Sequence, residues 1–262
     1  MKKEKFSAWM AAGVASLALL TGCATHSQTA ATDPYDPYES VNRKIYAFNS
    51  GLDEWVLLPV TKGYRAVMPS FAQDGVSNMI SNVGEPNNTL NNFLQGKVNE
   101  GIETTFRFLV NTTFGIGGLF DVASWIGMEK HEEDFGQTLG TWGVGSGSYL
   151  VLPLLGPSST RDMWRWPVSV ATNPMTYLLS NDHLVHDDAQ WPATLGWTAL
   201  TTVNLRSQMI DAGYDQMRAN TVDEYVAVRD AYRRLREKSI HGNDRSSEDE
   251  LKTLTPLVRD ED

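Results

Sequence analysis

Residues 38–55, YESVNRKIYAFNSGLDEW, place Tyr38, Val41, Ile45, Phe48, Leu52 and Trp55 three and four positions apart. That spacing lines them along one face of a helix. Asn42, Arg43, Lys44, Asp53 and Glu54 fill the other faces, Asp33-Pro34-Tyr35-Asp36-Pro37 precedes the element, and Pro59 bounds it. The periodicity predicts further helices around Ala72 to Val83, Val98 to Val110, Leu195 to Met209 and Val222 to Lys238. In the last, Thr221 and Glu224 stand at capping-box spacing, and Arg233, Arg234, Arg236 and Lys238 suit a helix C-terminus. No internal repeat is visible and strand-like alternation is nearly absent, so the predicted fold is mostly α.

The N-terminus reads as a lipoprotein signal. Lys2, Lys3 and Lys5 lead into an apolar run from Phe6 to Leu20 that ends in Leu20-Thr21-Gly22-Cys23. The run is too short for the roughly 20 residues that span a bilayer, and the three-part pattern is that of a cleaved export segment. Residues 1–22 are therefore expected to be removed and Cys23 to carry the lipid. Ala24 to Thr32, small and polar, reads as a tether, residues 33–238 as the helical domain, and the acidic stretch 239–262 as a disordered tail. Ala24 rather than Asp after the cysteine favours the outer membrane. A single cysteine excludes an internal disulfide. Cleavage removes three lysines and one glutamate and takes the net charge from −10 to about −12, an acidic balance that argues against nucleic acid as a partner. The mature chain has no apolar run long enough to cross a bilayer.

Two stretches break the helical rhythm. Asn111 to Met128 mixes large apolar residues with Gly115, Gly117, Gly118 and Gly127, and within it Leu119 to Met128 has the roughly ten residues that would cross one leaflet as a helix. Thr141 to Ser148, with Gly143, Gly145 and Gly147, reads as a flexible loop joined to the apolar run Tyr149 to Leu155. Seven tryptophans outside the signal (Trp55, Trp125, Trp142, Trp164, Trp166, Trp191 and Trp197) fit either a Trp-rich core or a bilayer interface.

Catalytic signatures are thin. The sequence holds no Gly-x-Ser-x-Gly, no phosphate loop and no His-Glu-x-x-His, and no strand precedes the glycines at 143–147 to make them a dinucleotide loop. Asp182-His183-Leu184-Val185-His186-Asp187-Asp188 has metal-ligand residue types, but a solvated acidic turn explains it more simply. No cofactor or metal is expected. Glu132, Glu133 and Asp134 read as a wet face rather than as paired acids for glycan hydrolysis.

Ordered blocks along the chain resemble the MlaA (VacJ) family of outer-membrane lipoproteins. They are Asp36-Pro37 with Glu39 and Asn42-Arg43, Phe48-Asn49, Leu52-Asp53, Glu85-Pro86, Leu94-Gln95-Gly96, Arg107-Phe108 and Asn111-Thr112. The most specific is Asp134-Phe135-Gly136-Gln137-Thr138-Leu139-Gly140 running into Trp142 to Gly147, followed by Leu152 to Ser158 and Arg161-Asp162. A weaker echo at Asp223, Tyr225, Arg229 and Tyr232 extends the match to the last helix. Val41, Ser148 and Met163-Trp164 depart from the usual pattern. The resemblance implies a monotopic ring of short amphipathic helices around an amphipathic channel. The ring would sit in the periplasmic leaflet of the outer membrane and pass stray phospholipids to a soluble periplasmic carrier, in association with trimeric porins. Asn42, Ile45, Phe48, Asn49 and Tyr149 are the expected channel or gate residues, with Gly143, Gly145 and Gly147 as hinge. The rival readings are an envelope hydrolase and a structural, porin-associated lipoprotein.

Overall fold

The helix at residues 38–55 forms, and its apolar stripe faces outward. The computed structural model describes residues 33–181 and 185–241; Cys23, the tether, most of the acidic tail and Asp182-His183-Leu184 lie outside the described residues. In α1 (Glu39–Leu52) the buried residue is Asn42, whereas Tyr38, Val41, Phe48, Leu52 and Trp55 are exposed. A water-soluble helix does the opposite. Pro59 has no N–H to return to Trp55, and the helix passes it by widening into a π segment at Asp53–Leu57 before α2 (Leu58–Val67). Met68 is extended ahead of Pro69, which ends α2.

The next two helices form an antiparallel hairpin. α3 (Ser70–Leu94) is 25 residues long, runs past both ends of the predicted Ala72 to Val83, and carries Pro86 in its interior. α4 (Val98–Thr113) matches its prediction closely. Its residues Val98, Ile102, Phe106 and Leu109 form an exposed apolar stripe, while Gly101, Thr104, Arg107 and Asn111 are buried. Leu119 to Met128 does not form a leaflet-crossing helix, because only the single turn α5 (Val122–Trp125) is helical. Polar groups pin this glycine-rich stretch from within. Arg107 binds both carboxylate oxygens of Asp121 at 3.0 and 3.1 Å and the Met128 carbonyl at 2.7 Å, and the Ala123 N–H donates to Asn111 at 2.8 Å. Phe114, Ile116, Trp125 and Ile126 project outward from it.

α6 (Phe135–Thr141) starts in a capping box between Asp134 and Gln137. An antiparallel β-hairpin then pairs β1 (Tyr149–Leu152) with β2 (Gly156–Ser159), in the register Tyr149 to Ser159 and Leu152 to Gly156. Four residues a side with Pro153 in the turn leave no alternation to read, which is why the sequence hides it. A short 3₁₀ turn (Asp162–Trp164), α7 (Arg165–Thr172), α8 (Pro174–Leu179), α9 (Asp187–Asp211), α10 (Tyr214–Ala219) and α11 (Glu224–His241) complete the chain. Asp223, not Thr221, caps α11: its Oδ1 accepts from Val226 N–H at 3.2 Å, while the Thr221 hydroxyl donates to the Arg218 carbonyl.

The apolar core is small: Tyr149, Val151 and Tyr225, with Tyr35, Ile45, Tyr46, Val226 and Tyr232 packed on it. Among the described residues, buried polar side chains outnumber buried apolar ones, and Asp36, Glu85, Arg107, Asp162 and Arg206 are all at most 2 % exposed. The tryptophans are not core residues. Trp55, Trp125, Trp142, Trp164 and Trp191 are exposed, and Trp166 and Trp197 are half-buried. No described helix is long and apolar enough to cross a membrane.

Candidate functional site

With its apolar stripe outside, α1 turns Asn42, Asn49 and Asp53 inward. Asn42 and Asn49, seven residues apart, lie on the same face and behave as a side-chain substitute for a third strand. Asn42 donates to the Tyr149 carbonyl at 3.0 Å and accepts from the Val151 N–H at 2.9 Å; Asn49 donates to the Leu152 carbonyl and accepts from the Leu154 N–H, each at 2.9 Å. The second clamp holds Leu154 at φ +65°, a left-handed conformation unfavourable for leucine. Leu154 and Leu155 are consequently presented outward at the hairpin turn.

One turn further, the π segment brings Asp53 to Arg206 of α9 at 2.7 Å. Arg206 also pairs with Asp215, while Arg218 of α10 pairs with Glu224 at 2.9 Å and approaches Asp53 at 3.5 Å. Burial opposes the Arg206 charge, but its bonds to Asp53 and Asp215 outweigh that and raise its pKa. Facing these charges are Leu57, Val151, Leu154, Leu155, Leu205 and Met209. Asp53, Arg206 and Arg218 join these apolar residues in lining a cleft of about 220 Å³.

A second, wider cavity of about 680 Å³ lies between α3, the segment from Lys130 to Gln137, α9 and α11. Its lining is mixed: polar residues including Ser77, Asn87, Asn88, Glu133, Asp134 and Arg236 alternate with the apolar Ile80, Leu205 and Leu235. Leu205 lines both cavities. Two amphipathic spaces therefore share one exposed leucine.

Two buried ionic centres tie earlier parts of the chain to the last helix. Asp36, fully buried, accepts from Asn42 at 2.8 Å and from the Tyr225 hydroxyl, and meets Arg229 at 3.5 Å. Arg236 of α11 bridges Asp134, at 2.7 and 2.9 Å, and Asp162, at 3.1 Å. Burial alone would raise the Asp162 pKa; bonds from Arg161, Arg236 and Tyr232 overcome it and hold the carboxyl far below its usual range. Gly136 has to be glycine here, because a Cβ would stand 2.6 Å from both Arg236 Nη2 and Asp162 Oδ1. That accounts for the glycine in the Asp134-Phe135-Gly136 block.

Of the residues predicted for a channel or gate, Asn49 lies on the wall of these two cavities and the others do not. Asn42 is buried in the hairpin clamp, Ile45 packs against the aromatic core, and Phe48 is exposed on the outer face. Tyr149 is fully buried, so the segment predicted to swing is a core strand. Gly143, Gly145 and Gly147 line neither cavity. Their loop is tied at its far end, where Thr160 N–H donates to the Ser148 carbonyl at 3.0 Å and Arg161 N–H to that of Ser146 at 3.3 Å. Periodicity could not find Asp53, Arg206, Arg218 and Arg236. Asp53 stood in a recognised block without a role, and its arginine partners lie more than 150 residues away in sequence. Among the described residues, no group of three or more His, Cys, Asp and Glu side chains could hold a metal ion.

The MlaA lipoprotein family model matches residues 34–239. An uncharacterised protein of Rickettsia typhi is 40 % identical over 207 residues, covering 79 % of this chain and 78 % of its own. The intermembrane phospholipid transport system lipoprotein MlaA of Escherichia coli K12 is 34 % identical over 218 residues, covering 82 % and 81 %. A solved structure described under maintenance of bacterial outer membrane lipid asymmetry superposes with a TM-score of 0.65 at 32 % identity, covering 78 % of this chain and 98 % of that one.

Proposed function

The chain belongs to the MlaA lipoprotein family, and from that premise we propose that it takes part in intermembrane phospholipid transport. It withdraws phospholipids misplaced in the outer leaflet of the outer membrane and passes them to a soluble periplasmic carrier, which maintains lipid asymmetry. The observation that carries this reading is the inverted distribution of side chains. Exposed Trp55, Phe71, Phe106, Phe114 and Trp125 suit an exterior surrounded by acyl chains, and the polar interior suits a route for headgroups. Without a hydrophobic drive between helices in lipid, interhelical hydrogen bonds and ion pairs have to hold the fold, which is the role of Asp36, Arg107, Asp162 and Arg236.

In this reading the helices encircle a passage within one leaflet, and the two cavities meeting at Leu205 are its inner surface. Acyl chains on Cys23 anchor the protein to the periplasmic leaflet, and trimeric porins flank it. A headgroup leaving water for hydrocarbon costs several kcal/mol per unsatisfied polar group; a lining with Asn, Ser and charged side chains lowers that cost. The lipid crosses with no covalent bond made or broken. Deleting the gene and measuring outer-leaflet phospholipid tests the proposal. A rise restored by the intact gene supports it, and unchanged asymmetry refutes it.

A further inference from the structure

We propose that Arg165, flanked by Trp164 and Trp166 at the start of α7, docks the phosphate of an anionic lipid belonging to the surrounding membrane. The inference rests on the membrane placement in the reading above. It adds a fixed point at which the outer surface grips the bilayer, outside both cavities. Arg165 is an arginine without an acid. Arg107, Arg161, Arg206, Arg229 and Arg236 each meet a carboxylate at 3.5 Å or less. Half-buried Arg165 has no hydrogen bond or ion pair to any described residue. Asp162, three positions before it, is already held by Arg161, Arg236 and Tyr232.

The guanidinium is fixed in place but open at its tip. Its Cζ stands 4.8 Å from the Trp166 ring centroid, a cation–π contact that holds one face of the group against the indole. Nε is closed to solvent, whereas the two terminal nitrogens, equally without an acceptor in the chain, are not. Their parallel N–H groups match two oxygens of a phosphate.

The stretch around it suits the headgroup level of a bilayer. From Met163 to Asn181 the one charged residue is Arg165, in a chain whose net charge is −10. Trp164, Val170, Tyr177 and Leu178 are exposed. The Tyr177 hydroxyl donates to the Ala171 carbonyl at 2.5 Å, which ties α8 to the end of α7 and makes the corner one surface. Indole and phenol rings concentrate where acyl chains give way to headgroups, the depth at which lipid phosphates stand. With no acid in the stretch, nothing there receives the ammonium of a zwitterionic headgroup, whereas a net anion is matched by the lone cation.

The test places the full-length lipidated protein in phosphatidylcholine nanodiscs. These are doped in turn with phosphatidylglycerol or phosphatidylethanolamine carrying a diazirine beside the glycerol backbone. After irradiation, mass spectrometry maps the labelled residues. Trp164, Trp166 or Tyr177 is expected to take label from the glycerol probe about fivefold more than from the ethanolamine probe, equivalent to ~1 kcal/mol. Arg165→Gln should bring the two probes level. Lys62→Gln, which removes the same charge from an exposed position on α2, should leave the difference intact. Thermal unfolding establishes that each variant folds, and the comparison of probes on the unaltered protein decides the matter without them. Equal labelling of the corner by the two probes, or a preference that survives Arg165→Gln, overturns the site. Loss of the preference to inorganic phosphate at matched ionic strength overturns its assignment to a membrane lipid. If the corner takes no label while outward Phe106 and Trp125 do, the docking point falls and the membrane placement stands. If no outward residue is labelled, the placement falls with it.

Discussion

Replacing Asn42 by alanine tests whether the clamp on the hairpin sustains the fold. Its side chain is 2 % exposed and makes three bonds: to Asp36 at 2.8 Å, to the Tyr149 carbonyl at 3.0 Å, and from the Val151 N–H at 2.9 Å. Alanine deprives all three partners inside a site closed to water. At ~1–3 kcal/mol per buried group left unsatisfied, with partial relaxation, the expected loss is about 4 kcal/mol. That is a large share of the roughly 5–15 kcal/mol by which domains are stable. Asn49→Ala provides the internal comparison. It removes two bonds of similar length, but the turn they hold is exposed at Leu154, so water replaces them and the expected loss is about 1 kcal/mol. Urea unfolding in mild detergent, followed by circular dichroism, measures both. Equal losses for the two variants, or a loss under about 1 kcal/mol for Asn42→Ala, would refute the assignment of a buried clamp.

The glycines separate by environment. Gly136→Ala should destabilise by about 2–3 kcal/mol through overpacking, because its Cβ meets Arg236 and Asp162. Gly147→Ala, at φ +66° with Thr160 Oγ1 2.0 Å from the added carbon, should cost at least ~1–3 kcal/mol. Gly145→Ala, with open space around it, should fall within about 0.5 kcal/mol of the parent. Thermal unfolding of the three variants ranks them. Trp125→Ser should weaken vesicle binding of protein lacking the lipid anchor by ~2 kcal/mol, roughly thirtyfold, with no loss of melting temperature; co-sedimentation reads it. Acid should act through Asp162. Its native pKa is depressed, so its stabilisation is present above the unfolded value near 3.8 and is lost progressively as pH falls below that toward the native value. Melting temperature should decline there, and Asp162→Asn should flatten that decline while lowering stability at neutral pH.

Local periodicity was enough to locate α1, α4 and α11, because apolar residues at three and four spacings need a helix whichever medium covers them. It could not tell which medium. The stripe from Tyr38 to Trp55 looks the same whether it meets a core or acyl chains, and only the burial of Asn42 on the opposite face resolves the direction. The helix predicted around Ala72 to Val83 runs on to Leu94 through Pro86, an extension that apolar spacing does not announce. The hairpin escaped notice because its second strand, Gly156–Ser159, has no apolar alternation and is held partly by α1 amides. The Asp36, Asp162 and Arg206 centres join residues far apart in sequence, so nothing local announces them. The Asp134 to Gly140 block did mark one of them, and Gly136 gives that block its physical reason.

The reach from Asp36 to Tyr225 and Arg229, and from Asp134 and Asp162 to Arg236, sets an order of assembly. A chain made N-terminus first carries these acids ahead of their partners, which arrive only with the final helix. Until then Asp36 and Asp134 lack their arginine partners and Asp162 has only the neighbouring Arg161, so desolvating these carboxylates is costly. Completion of the molecule is thereby coupled to the arrival of its last helix, a latch that keeps an unfinished polypeptide from closing prematurely.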